Sequence, residues 1–163
     1  IKFSCQNFNA MNKDFVDSVS RRLFFVPNPA EFKIKTDNSL SKDAPWHPDN
    51  PDLGVRGEEI KSGNSIYLPG DEIQNNTEIR LKNLCNVTVD GDVLSFSGFD
   101  HKRGNSIFQW CSKHCPIELF YPDGISIKGI VEDNISDLDG QVVQFERVGF
   151  VRLEGTKAFF LHR

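Results

Sequence analysis

The stretch Val87-Thr88-Val89-Asp90-Gly91-Asp92-Val93-Leu94-Ser95-Phe96 decides the fold. Two short runs rich in β-branched and apolar residues flank Asp90-Gly91. An Asp-Gly pair accepts the positive φ that a two-residue type I′ turn requires, so the stretch reads as a β-hairpin. The same texture continues outward on both sides. Upstream, Glu78-Ile79-Arg80-Leu81 and Phe32-Lys33-Ile34-Lys35 alternate with period two, residues 59–60 and 65–68 read as short strands, and residues 24–26 form a bulky apolar run ended by Pro27-Asn28-Pro29. Downstream, residues 107–110 are a short run, and residues 116–121 and 125–131 flank the turn Pro122-Asp123-Gly124. Residues 141–145, 148–154 and 157–161 read as three closing strands, with Glu154-Gly155 at the last turn. A helical period occurs once, over residues 12–22, where Asn12 suits an N-cap and Phe15, Val16, Val19 and Leu23 make one stripe. Residues 39–56, with Pro45, Pro48, Pro51 and Gly54, read as a long irregular loop. Many short strands with regular turns and one helix imply an all-β barrel or sandwich.

Composition sets the outer limits. A chain of 163 residues is about one domain or two small ones and buries a sizeable core. With 38% hydrophobic and 26% charged residues it is neither disordered, collagen-like nor a coiled coil. No apolar run approaches the roughly 18 residues of a membrane span. The net charge of −4 excludes a strongly basic nucleic-acid binder, while leaving room for RNA contact through a few placed arginines. The chain starts at Ile1 without a signal-peptide pattern, and reads as a piece of a longer cytoplasmic protein. Cys5, Cys85, Cys111 and Cys115 are then expected as reduced thiols.

Few residues point to chemistry. Cys111-Ser112-Lys113-His114-Cys115 offers three metal-ligand types, with Cys85 or His101 needed as a fourth; the ordinary reading is two thiols at a strand end. His47, between Trp46 and Pro48, has no Gly-x-Ser-x-Gly nucleophile near it, and a packed loop histidine is the plainer reading. Glycine-rich phosphate cradles are absent. Arginines are more informative: Arg21 and Arg22 at the end of the expected helix, Arg56 after the Pro-rich stretch, and Arg147 between two apolar runs. Guanidinium forks and fourteen Phe rings suit flipped-out RNA bases; the alternative is solvated surface charge.

Three segments go further: Arg21-Arg22-Leu23-Phe24-Phe25-Val26-Pro27-Asn28-Pro29, His47-Pro48-Asp49-Asn50-Pro51-Asp52-Leu53-Gly54-Val55-Arg56, and Gln144-Phe145-Glu146-Arg147-Val148-Gly149-Phe150-Val151-Arg152-Leu153. In this order they resemble the C-terminal anticodon-binding region of class I glutamyl- and glutaminyl-tRNA synthetases. Residues 78–87 and the closing Phe160-Leu161-His162-Arg163 resemble the archaeal glutamyl branch. The resemblance implies two β-barrels end to end: a proximal one from residues 23–84 with 136–163 and a distal one from residues 85–135, preceded by a linker and helix over residues 1–22. It implies that Arg22 binds an anticodon base, that Gln144 and Arg147 hold the middle base, and that Glu146 orients them. It also implies that His47, Asp49 and Arg56 contact the RNA, Asp49 at a position that touches it just past the anticodon. Asp49 stands where the glutaminyl branch has Asn, and a carboxylate there repels phosphate unless something bridges. Glu72 takes the place of the arginine that reads the third base in that branch, and a carboxylate accepts from the amino group of cytosine.

The implied partners are a glutamate-specific tRNA and a catalytic domain in the parent protein, which uses ATP and Mg2+. The motifs for ATP, His-x-Gly-His and Lys-Met-Ser-Lys-Ser, are absent here, so this piece is expected to hold no cofactor and to be non-catalytic by itself. A monomer away from membranes is expected. The competing readings are the same region of a glutaminyl enzyme, a stand-alone β-barrel interaction module, and a small zinc protein.

Overall fold

The computed structural model describes residues 20–133 and 135–163; for residues 43, 44, 55, 56 and 136 it describes the backbone alone. The strands are β1 (Arg22–Leu23), β2 (Phe25–Pro27), β3 (Pro29–Lys35), β4 (Leu40–Pro45), β5 (Val55–Ile60), β6 (Ser65–Pro69), β7 (Glu78–Leu81), β8 (Cys85–Asp90), β9 (Val93–Gly98), β10 (Ile107–Phe108), β11 (His114–Phe120), β12 (Ser126–Glu132), β13 (Val142–Phe145), β14 (Gly149–Glu154) and β15 (Lys157–His162). Short 3-10 turns occupy Pro51–Leu53, Gly70–Glu72 and Ile135–Leu138. The all-β expectation holds. The helix expected over residues 12–22 lies outside the described residues up to residue 19, and Arg22 does not end a helix: it opens β1.

One sheet has the order β1-β13-β14-β15-β11-β12-β2 and the other β10-β7-β8-β9-β3-β6, and each is nearly closed into a barrel. Closure works the same way in both. The two edges of the seven-stranded sheet, β1 and β2, are consecutive in the chain, so residues 22–27 step from one edge to the other. In the six-stranded sheet β10 forms one edge, and Cys111, three residues after it, bridges the opposite edge at Tyr67 through paired backbone bonds of 2.8 and 3.2 Å. Near-closure shortens the unpaired edges of these two sheets, which are what templates aggregation.

Residues 23–26 are the seam. Side chains alternate along an extended chain, and here both sides are buried. Leu23 and Phe25 enter the core of the seven-stranded sheet, while Phe24 and Val26 enter the core of the six-stranded one. This explains why four bulky apolar residues follow one another without a polar face. Gly129, paired with Pro27, makes the seam possible: a Cβ there would stand 2.5 Å from the Val26 carbonyl and 2.8 Å from the Phe25 ring.

The sheets cut the chain elsewhere than the expected division at residues 84 and 135. The hairpin β8–β9 pairs with β7, which precedes it, and so stays with residues 29–81. Strands β11 and β12 join β15 and β2, because β15 returns parallel to β11. The turn of the deciding hairpin also sits one residue on. Asp90 pairs with Val93, so Gly91 and Asp92 form the loop, and Gly91 (φ +60°) is its only positive-φ residue. That is the pattern of a type II′ turn, with glycine first. The long loop expected over residues 39–56 is mostly a hairpin of its own: β4 and β5 pair from Leu40↔Ile60 to Pro45↔Val55, leaving residues 46–54 as the connection.

Candidate nucleic-acid interface

The strand β1 runs parallel to β13, with Arg22 opposite Gln144 and Leu23 opposite Phe145. Leu23 and Phe145 are buried, and Phe145 stacks on Phe25 at 5.1 Å. The period-two rule then turns the half-buried Arg22 and Gln144 together to the opposite face. Backbone bonds from Gln144 N–H to the Arg21 carbonyl (2.8 Å) and from Glu146 N–H to the Leu23 carbonyl (3.1 Å) fix the register. The Gln144 Oε1 is buried and accepts no hydrogen bond among the described residues. A buried acceptor left unmatched costs about 1–3 kcal/mol, which a ligand donor would recover.

Arg22 N–H donates to the Trp46 carbonyl at 2.8 Å, which brings the 46–54 connection alongside. Arg21 lies over the Trp46 ring at 5.4 Å. His47 is 1% exposed, and its Nδ1 accepts from the Asp49 N–H at 3.1 Å. The Asn50 side chain caps the following 3-10 turn through the Asp52 N–H, and Gly54, at φ +87°, closes the connection by accepting from Trp46 N–H. The ring of His47 therefore shapes the loop from inside, while Asp49 stands exposed on it. Arg56 lies on β5 opposite Ala44, and its side chain is outside the described part.

A cavity of about 210 Å³ opens between the two sheets. Its apolar walls include Phe25 and Tyr121 from one sheet and Pro69 and Phe108 from the other. Glu72, Gln109, Glu146 and Arg147 supply its polar lining. Glu72 is exposed at the end of the Gly70–Glu72 turn. Arg147 has φ +66° in the turn after β13, and its Nη2 donates to the Ile107 carbonyl at 2.6 Å. That is its only hydrogen bond or ion pair among the described residues, so four of its five donors are left for solvent or a ligand. Glu146 is held by the Lys82 ammonium. Gln109, 7% exposed, donates to the Glu146 carbonyl (2.9 Å) and accepts from Phe25 N–H (3.3 Å), tying the sheets together under the cavity.

The sequence reading missed Lys82 and Gln109. Gln109 hides inside an apolar run, where nothing distinguishes a buried clamp from a strand's polar face. The predicted residues fall into two neighbouring groups: Arg22, Gln144, His47 and Asp49 at one end of the short β1–β13 ladder, and Glu72, Glu146 and Arg147 at the cavity. From Arg22 to Phe25 is three extended residues, about 10 Å.

Cys5 lies outside the described residues, and the other three cysteines are free thiols. Cys85 and Cys111 are buried in the six-stranded core, and Cys115 packs against the other. Burial pushes the Cys85 thiol up to about 11, away from reactivity. The His114 ring packs on Tyr67 at 4.3 Å. Among the described residues no three His, Cys, Asp or Glu side chains converge on one point.

Glu78, on β7, accepts from Asn105 (2.8 Å), Ser97 (2.7 Å) and Lys102 (2.9 Å), and so pins the chain that leads into β10 and the cavity wall. These bonds, Asn105 first, pull its carboxyl down to about 2. A lowered folded-state pKa means the contribution is complete above the ordinary value near 4.5 and is lost as pH falls through about 2. The Asn105 side-chain amide should therefore hold its NMR shift down to about pH 4 and move with a midpoint near 2; a midpoint near 4.5 would refute the pinning.

A family model described as tRNA synthetases class I (E and Q), anti-codon binding domain, matches residues 20–99. The glutamate–tRNA ligase of Thermoplasma volcanium is 35% identical over 166 residues, covering 98% of this chain and 30% of that protein. That of Methanoculleus marisnigri is 34% identical over 178 residues, covering 100% of the chain and 31% of the protein. That of Pyrococcus furiosus is 32% identical over 165 residues, covering 93% and 29%. The chain thus spans less than a third of the length of these curated relatives. No helix among the described residues is long and apolar enough to cross a membrane.

Proposed function

The chain belongs to the anticodon-binding domains of the class I glutamyl and glutaminyl tRNA synthetases, and from that premise we infer that it grips the unpaired anticodon bases of a glutamate-accepting tRNA on behalf of a glutamate–tRNA ligase. Two observations support this reading: Arg22 and Gln144 stand opposite each other on the β1–β13 ladder, and Glu72 and Arg147 line the cavity between the sheets. Single-stranded bases splay into separate pockets and are read on their edges. Gln144 offers a buried, unmatched acceptor, and Arg147 offers guanidinium donors beside the apolar walls of the cavity.

Each side chain then has a role. Arg22 takes one anticodon base, and Gln144 and Arg147 hold the middle base. Glu146, held by Lys82, positions the Arg147 turn and does not touch the base. His47, enclosed, sets the loop that presents Asp49. Strands place Arg22 and Gln144 more rigidly than loops would. The acidic balance of the chain is compatible with this, because a tethered second contact on one tRNA needs little affinity of its own. ATP and Mg2+ belong to the catalytic part of the proposed parent; the sequence holds no motif to bind them, and no step here runs through them.

The test is binding of two transcripts at one fixed salt concentration, a glutamate tRNA and the same tRNA with a foreign anticodon. The chain should bind the first at least about tenfold tighter, since each misread base costs about 1–3 kcal/mol. Equal affinity would end the reading. Glu72→Gln should lower the preference for C over U at the third anticodon position by about fivefold, because the amide both donates and accepts where the carboxylate only accepts. Unchanged discrimination would remove Glu72 from the site.

A further inference from the structure

The chain between β9 and β10 leads into the cavity wall and carries a feature the anticodon site does not use. Phe99 is 60% exposed, yet it is held in place. Its ring meets Phe96 edge-on at 5.0 Å. Its carbonyl accepts from Arg80 Nη1 at 2.9 Å, and the next carbonyl, of Asp100, accepts from the fully buried Asn86 at 2.6 Å. The other end of this segment is pinned by Glu78 through Lys102 and Asn105. An exposed ring on so fixed a base gains nothing for the core.

The neighbouring charge is complementary to a polyanion. His101, Lys102 and Arg103 follow one another and are all exposed. Lys102 is taken by Glu78, whereas His101 and Arg103 make no hydrogen bond or ion pair among the described residues. The carboxylates beside them are Glu78, engaged by three donors, and the exposed Asp100. The platform is also continuous with the cavity: Ile107 pairs with Arg80, whose guanidinium holds Phe99, and the Ile107 carbonyl holds Arg147 at the cavity rim.

We propose that Phe99 is a stacking platform for an unpaired nucleotide of the same tRNA, adjacent to the one in the cavity, with Arg103 meeting its phosphate. Every base has a π face, so stacking on Phe99 adds affinity without reading sequence, and the exposed cations that follow it in the chain neutralise the backbone that passes. This rests on the anticodon reading above.

The experiment measures the affinity of the full chain for a glutamate tRNA transcript by fluorescence anisotropy at several salt concentrations. Phe99→Ala should weaken binding by about 5- to 100-fold, the range of one lost base stack. Phe99→Tyr should keep wild-type affinity, and Arg103→Ala should reduce the log–log salt slope by about one. Thermal melting of each variant confirms that the fold is intact, as expected for exposed positions. If Phe99→Ala binds like the wild type while an Arg147 variant is weakened, the platform is refuted and the anticodon site stands. If neither change matters and the anticodon can be exchanged freely, both fall.

Discussion

Arg147→Gly should weaken binding of a glutamate tRNA by about 10- to 100-fold while leaving thermal stability unchanged or slightly raised. The magnitude is that of one forked guanidinium contact to a base edge, about 1–3 kcal/mol. Glycine is the informative replacement because Arg147 sits at φ +66°. A residue with a Cβ is strained there and glycine is not, so the change removes the guanidinium while relaxing the turn. Any loss of affinity is then chargeable to the missing side chain. The bond to the Ile107 carbonyl is exposed, so losing it costs little. Arg147→Lys should keep the salt dependence and lose base discrimination, since an ammonium is a point charge without the planar fork. Anisotropy titrations with the matched and foreign anticodons separate the two effects. Wild-type discrimination in the glycine variant would show that Arg147 reads no base.

Much of the fold was legible because local signals agreed with tertiary structure. Alternation at Glu78–Leu81, the Pro122-Asp123-Gly124 turn and the three closing runs each match a strand or turn within a residue or two. Residues 23–26 could be read as apolar, but not as facing two cores, since a one-dimensional pattern cannot say which side of a strand meets which sheet. In the sequence the 40–45 segment reads as irregular for a definite reason. Its inward positions are Leu40 and Lys42, and a lysine in a core position breaks the apolar alternation that announces a strand. Only the partner carboxylate, 90 residues on, makes that position intelligible. The Arg22–Gln144 pairing shows the same limit. Each residue was found by resemblance, while their adjacency depends on a two-residue parallel ladder that no local signal encodes.

That lysine is also where the largest loss of stability is expected. Lys42, 2% exposed, donates to Glu132 Oε1 at 2.8 Å, and its ammonium lies 4.2 Å from the Phe24 ring centre and 4.3 Å from that of Trp110. The other carboxylate oxygen of Glu132 accepts from the Phe24 N–H at 2.9 Å. Phe24 lies between β1 and β2, where the chain steps from one edge of the seven-stranded sheet to the other. Glu132 therefore satisfies a backbone donor at the seam, as Gln109 does for Phe25 next to it, and Lys42 neutralises Glu132. Glu132→Ala strands both the N–H and a buried ammonium, at a cost of about 3–5 kcal/mol. For a chain of this size that lowers the melting temperature by roughly 8–15 °C. Lys42→Met combined with Glu132→Gln keeps the acceptor for Phe24 and removes both charges, and should recover most of the loss. The same Glu132→Ala change should weaken tRNA binding, because Phe25 walls the cavity and Arg22 lies two residues before Phe24. Denaturant melts of the single and double variants decide it: a Glu132→Ala midpoint equal to wild type would mean that the barrel closes without this pair.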